Sequence, residues 1–158
     1  MHHPIKEISV NEVQIPRRYV NRIFVHCTAS EGAGKHYTGT QLARTIDNWH
    51  KARWSTGLGY HFLIDKEGTL IQGRDLRVSP AAQRGHNVGT IAICLHGLIK
   101  SKFTQAQLDT LKALCIRLND LYDSNVTFHG HREVAAKECP VIDYKNILNL
   151  DSAGNLGI

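Results

Sequence analysis

The chain has no apolar run of membrane-spanning length. Stretches such as Ile23-Phe24-Val25 and Ile91-Ala92-Ile93-Cys94-Leu95 are strand-sized, whereas a spanning helix needs about 20 apolar residues. The opening residues, Met1-His2-His3-Pro4-Ile5-Lys6-Glu7, lack the apolar core of a secretory signal. Synthesis in the cytoplasm without a signal peptide is therefore expected. Four cysteines are present, Cys27, Cys94, Cys115 and Cys139, with no short-range pairing, which argues against a disulfide framework. Lys/Arg runs, zinc-finger spacings and recognition-helix patterns are also missing. The bases are scattered, as Arg17-Arg18, Lys51 and Arg53, Arg74 and Arg77, Lys100 and Lys102, and Lys137. A net charge of +5 then reads as general attraction to an anionic surface, with no specific nucleic-acid partner. The glycine-rich Ser30-Glu31-Gly32-Ala33-Gly34-Lys35-His36 lacks the full GxxxxGK[ST] pattern, so a phosphate loop is excluded.

What remains is an ordinary globular composition, 42% hydrophobic and 21% charged over 158 residues, enough for one domain with its own core. Residues 1–20 read as a loose N-terminal arm, 21–150 as the folded unit and 151–158 as a polar tail. Within the unit, 22–27 reads as a core strand and Thr38 to Trp54 as a helix, with Leu42, Ile46 and Trp49 on its apolar side. Residues 59–64 and 69–72 form a hairpin around Asp65-Lys66-Glu67-Gly68, and 73–87 is a polar loop. A buried strand follows at 90–95. Thr104 with Gln107 is a capping box; it opens a helix whose stripe is Leu108, Leu111, Leu114, Cys115, Leu118 and Leu121. A strand at 125–128 and a short helix at 143–150 close the unit. Strands interleaved with helices predict an α/β fold, a central mixed β-sheet flanked by helices. A monomer is expected.

The chemistry concentrates in His129-Gly130-His131-Arg132-Glu133-Val134-Ala135-Ala136-Lys137-Glu138-Cys139-Pro140. Imidazole and thiolate are ligands for a borderline-soft cation such as zinc. No CxxC or HxxxH completes a closed four-ligand set, so a third ligand must come from elsewhere, leaving one position open as in enzyme sites. His26, at the end of the first core strand, is the best candidate. Residue chemistry alone leaves His129 and His131 as rivals, since both lie on one face of an extended segment. Cys27 should point away from His26 into the core, and Cys94 and Cys115 read as small buried hydrophobes. His61 reads as packing, His50 as helix surface, and His2, His3, His36 and His96 as bystanders. His86 and Asn87 are candidate groove residues. Arg74 and Arg84 are candidate partners for peptide carboxylates.

Three ordered motifs, Phe24-Val25-His26-Cys27-Thr28-Ala29, Gly59-Tyr60-His61-Phe62 and Gly130-His131-Arg132-Glu133 with Lys137-Glu138-Cys139-Pro140, carry a resemblance to the zinc-dependent N-acetylmuramoyl-L-alanine amidases. That family includes phage lysozyme-type amidases and peptidoglycan recognition proteins. The resemblance selects His131 over His129 and implies Zn2+ held by His26, His131 and Cys139. It implies Tyr60 as a catalytic phenol and Lys137 as a cationic stabiliser of the tetrahedral intermediate. The presence of Cys139 favours an enzyme over the family's non-catalytic peptidoglycan-binding modules. The implied reaction is cleavage of the bond between N-acetylmuramic acid and L-alanine, in peptidoglycan by a phage or prophage endolysin, or in soluble muropeptides by a cytoplasmic recycling amidase. One departure is visible: where relatives often carry a His before the Gly-x-Asn of the polar loop, this chain has Ala82.

Overall fold

The computed structural model describes residues 5–54 and 57–157; the expectations for His2 and His3 fall outside them. Six strands form one sheet: β1 (Lys6–Glu7), β2 (Arg22–Cys27), β3 (Phe62–Ile64), β4 (Leu70–Gln72), β5 (Thr90–Leu95) and β6 (Thr127–Gly130), in the order β1-β4-β3-β5-β2-β6. The β1–β4 and β3–β4 pairs are antiparallel, while β5 lies parallel to β3 and β2, and β6 parallel to β2. The sheet is mixed, as expected.

One helix covers each face. Helix α2 (Gln105–Leu121) buries Leu111, Leu114, Cys115 and Leu118 against Ile23, Val25, Phe62, Ile64, Ile91 and Ile93. Helix α1 (Gly39–Trp54) buries Leu42, Ala43 and Ile46 against Leu63, Ile71 and Cys94 on the other face. Each buried aliphatic side chain of this kind is worth roughly 1.5–3 kcal/mol. Central strands covered on both faces are continuously apolar, which is why β2 and β5 show no polar alternation. The α2 start is the capping box read from the sequence: Gln107 N–H donates to Thr104 Oγ1 at 3.1 Å and Thr104 N–H to Gln107 Oε1 at 3.3 Å. Buried Gln107 also donates through Nε2 to the carbonyls of Ile64 and His96, at 3.0 and 2.8 Å. It thereby ties the helix to β3 and to the end of β5.

Several local expectations shift. The arm is not loose: β1 pairs with β4, Val13 is buried, and Arg117 Nη2 donates to the Val13 carbonyl at 2.9 Å. Pairing satisfies an edge that β4 would otherwise expose. The tail is used similarly: Phe128 N–H donates to Gly154 O at 2.8 Å, and Leu156 packs on the core. Regular pairing in the first hairpin strand begins only at Phe62, because the chain bends at His61. The bend places Tyr60 with Leu63 on the α1 face. Trp49 is 38% exposed: it lies over the Tyr37 ring, at 6.2 Å, and Tyr37 is the residue that packs on the core beneath α1. The closing helix α3 is only Tyr144–Ile147, capped by Asp143 and followed by Asn149 at φ 51°.

Candidate metal centre

Strand β2 carries Phe24 and His26 toward the α1 face and ends at Cys27. Its parallel neighbour β6 ends at Gly130, where the chain breaks into a tight turn at His131–Glu133. The following loop returns to Cys139, whose peptide bond to Pro140 is cis. Strand and loop thus bring His26, His131 and Cys139 together, with their ligand atoms all within 4.8 Å of one another. His26 and His131 are 1% and 9% exposed, with ring centroids 4.6 Å apart. The Cys139 sulfur lies 4.0 Å from His26 Nδ1 and accepts the Cys27 N–H at 3.1 Å.

The loop is braced from beneath. Arg132 N–H donates to Cys139 O at 2.7 Å, and the Arg132 guanidinium lies 4.7 Å over the Tyr144 ring. Glu133 accepts from Gly130 N–H at 2.9 Å and from the Tyr144 hydroxyl. A side chain at position 130 would collide with the Tyr144 ring, so glycine is what allows this close approach.

Burial, then the neighbouring His131 and Lys137, pushes His26 down to about 3. Burial and then Lys137 also lower His131. Both imidazoles are therefore neutral near pH 7, with lone pairs available. The Cys139 sulfur lies against the Cys27 backbone, and the neighbouring Cys27 together with burial pushes the Cys139 thiol up. Two neutral imidazoles and a sulfur converging from three chain segments suit a borderline-soft divalent metal, with a fourth position left open.

The same geometry separates the rival histidines. His129 is still on β6, and both its nitrogens are engaged: Nε2 with Thr127 Oγ1 at 2.6 Å and Nδ1 with Glu133 Oε1 at 2.9 Å. The strand register separates them: His129 lies beside Phe24, with the rings 5.4 Å apart, whereas His131, one step past the Val25–Gly130 pair, reaches the level of His26. Tyr60 stacks obliquely 5.3 Å from His26. Burial, then the Cys94 and Cys139 thiols, raises its phenol well above the usual value, so it stays protonated. Lys137 is exposed yet close enough to act on both cluster histidines.

In the polar loop, Arg74 donates from Nε to Ser79 O at 2.9 Å and from Nη1 to Leu58 O at 3.2 Å. Asn87 Oδ1 accepts the Ala82 and Gln83 N–H groups at 3.1 and 2.9 Å. Arg84 is exposed and His86 half-buried. His61, as expected, is packing: Nδ1 accepts Ala92 N–H at 3.2 Å and Nε2 donates to Val78 O at 2.8 Å. Sequence reasoning missed three residues. Cys27, although buried as expected, also touches Cys139. His96 bridges Thr28 Oγ1 and Gly32 O, both at 3.0 Å. Buried Gln83 pairs its Oε1 with His26 Nε2 at 2.8 Å. Nothing in periodicity marks a lone Gln inside a polar loop as buried.

Comparison with known proteins bears on the family and the fold. Residues 16–141 match the family model of N-acetylmuramoyl-L-alanine amidases. The endolysin of Escherichia phage T7 is 36% identical over 138 residues, covering 82% of this chain and 85% of the relative. The endolysin of Enterobacteria phage T3 is 36% identical over 139 residues, covering 82% and 86%. Among solved structures, an N-acetylmuramoyl-L-alanine amidase of Clostridium intestinale superposes with TM-score 0.72 at 28% identity, covering 93% of this chain and 89% of that one. A complex of peptidoglycan recognition proteins with tracheal cytotoxin matches with TM-score 0.70 at 25% identity, covering 87% and 83%.

Proposed function

The chain belongs to the N-acetylmuramoyl-L-alanine amidase family, and from that premise we propose that His26, His131 and Cys139 hold a catalytic zinc ion. The observation that carries this reading is the convergence of their three ligand atoms within 4.8 Å. The protein is an amidase with an endolysin's role. It hydrolyses the bond between N-acetylmuramic acid and L-alanine in peptidoglycan, working as a monomer whose site is built within one chain.

Zinc at this position would polarise the scissile carbonyl and bring a water's pKa to about 7. The chain's own residues supply the rest. Tyr60, kept protonated by burial, donates a hydrogen bond to oxygen as negative charge develops there. Lys137, exposed beside the cluster, offsets that charge with its ammonium group. Arg84 and His86 face the substrate from the polar loop, with Arg84 meeting stem-peptide carboxylates. Arg74 and Asn87 hold that loop's shape through the bonds described above. Among the described residues no helix is long and apolar enough to cross a membrane. On the endolysin reading the enzyme acts on the cell wall.

Purified peptidoglycan sacculi test this reading. Digestion should clear turbidity and expose new L-alanine amino termini without new reducing sugar ends. Cleavage confined to soluble muropeptides, with intact sacculi untouched, would favour the recycling role instead. Binding to sacculi with no product would indicate a non-catalytic module.

A further inference from the structure

Gln83 is fully buried beside the cluster, and the direction of each of its side-chain hydrogen bonds can be worked out. Its Nε2 lies 2.7 Å from Thr90 Oγ1 and 3.3 Å from the His86 carbonyl. A carbonyl only accepts, and Thr90 spends its own proton on the Asn87 carbonyl at 2.8 Å. Both neighbours of Nε2 are therefore acceptors, and the amide NH2 belongs on that side. That leaves Oε1 against His26 Nε2 at 2.8 Å. An amide oxygen cannot donate, so the ring hydrogen of neutral His26 sits on Nε2 and the lone pair on Nδ1. Nδ1 is the nitrogen that faces the Cys139 sulfur.

We propose that Gln83 is a positioning residue for the metal centre: by accepting from Nε2 it holds His26 in the tautomer whose Nδ1 lone pair points into the cluster. This rests on the zinc reading above. Without Gln83 the hydrogen can move to Nδ1, where it would point at Cys139 and occupy the ligand position. Outer partners of this kind fix the tautomer and orientation of metal-binding histidines. The bonds of Asn87 to Ala82 and Gln83, and of Thr90 to Gln83, make part of the polar loop a brace for a ligand on β2.

The test combines nitrogen-15 spectra of the His26 ring with zinc affinity by chelator competition, for wild type, Gln83→Met and Gln83→Glu. In the wild type, Nε2 should carry the hydrogen with zinc bound and after chelator treatment. Gln83→Met should bind zinc about 10- to 100-fold more weakly and populate the Nδ1–H tautomer once zinc is removed. Gln83→Glu keeps an acceptor and should restore both the tautomer and most of the affinity, which a loop-packing role would not predict. An Nδ1–H ring in the wild type overturns the proposal, as does a Glu variant no better than Met. The wild-type spectrum decides the matter even if Gln83→Met fails to fold. Wild-type zinc binding with an unchanged Met variant defeats this proposal alone; no zinc on the wild type defeats the zinc reading first, and this proposal with it.

Discussion

His26 Nδ1 and Cys139 Sγ stand 4.0 Å apart although 113 positions separate them in the chain. The contact exists because β6 lies beside β2, so the site and the sheet form together. An ion bound there links the chain's two halves and should stabilise the native state by mass action. At free zinc a thousand times the dissociation constant the gain is about 4 kcal/mol. For a domain of this size, chelator should lower the melting temperature by roughly 10 °C. A thermal scan with and without chelator checks this; coincident curves would count against a metal at this site.

The two neighbouring histidines should respond differently to removal. His131→Ala should abolish stoichiometric zinc and activity together. His129→Ala breaks the contacts to Thr127, Glu133 and the Phe24 ring and none to His26, His131 or Cys139 that the structure shows, so zinc should be retained, with a stability loss of about 1–2 kcal/mol. Zinc analysis of both purified variants decides the assignment, and loss of metal in His129→Ala would reverse it.

Acid should destabilise the protein through histidines buried in neutral form. Burial holds His61 at about 3 in the native state, against an ordinary value of 6.5. Between those values the unfolded chain binds a proton that the native chain does not, so stability falls as pH drops through that window. The slope is up to about 1.4 kcal/mol per pH unit for each such group. His26, also at about 3, adds to it in chelator-treated protein. Urea midpoints of that protein at pH 7.5 and pH 5 should show the fall, and His61→Gln should remove about one proton from the dependence. An unchanged slope in that variant would refute the assignment to His61.

Lys137→Ala should lower kcat by roughly 10²–10³ with KM little altered, if its charge acts on the developing oxyanion. Steady-state kinetics on a soluble muropeptide would show this. A rise in KM alone would make Lys137 a substrate-binding residue.

Much of this was legible in the sequence, for reasons that can be named. The apolar runs that became β2 and β5, the α2 stripe and its Thr104–Gln107 cap are local patterns, and local patterns survive folding. A His/Cys cluster that could hold a metal was legible because few residue types suit a borderline-soft cation. The choice of His131 over His129 was not readable from residue chemistry, since it depends on the register between β6 and β2, which sets His129 beside Phe24 and His131 at the level of His26. Tyr60's orientation depends on a bend at His61 that no alternation rule contains. Gln83 is buried between Thr90, seven positions on, and His26, 57 positions back, and it is the distant partner that local patterns do not reveal. The arm looked loose because only the free edge of β4 gives it a place to pair.

Zinc content of the purified protein, measured beside amide cleavage of sacculi for wild type and Cys139→Ser, tests the central claim most directly. The account predicts about one zinc per wild-type chain, release of peptides with free L-alanine amino groups, and loss of both metal and product in the variant. A wild-type enzyme that cleaves with no bound metal, or a Cys139→Ser variant that keeps full activity, would contradict it.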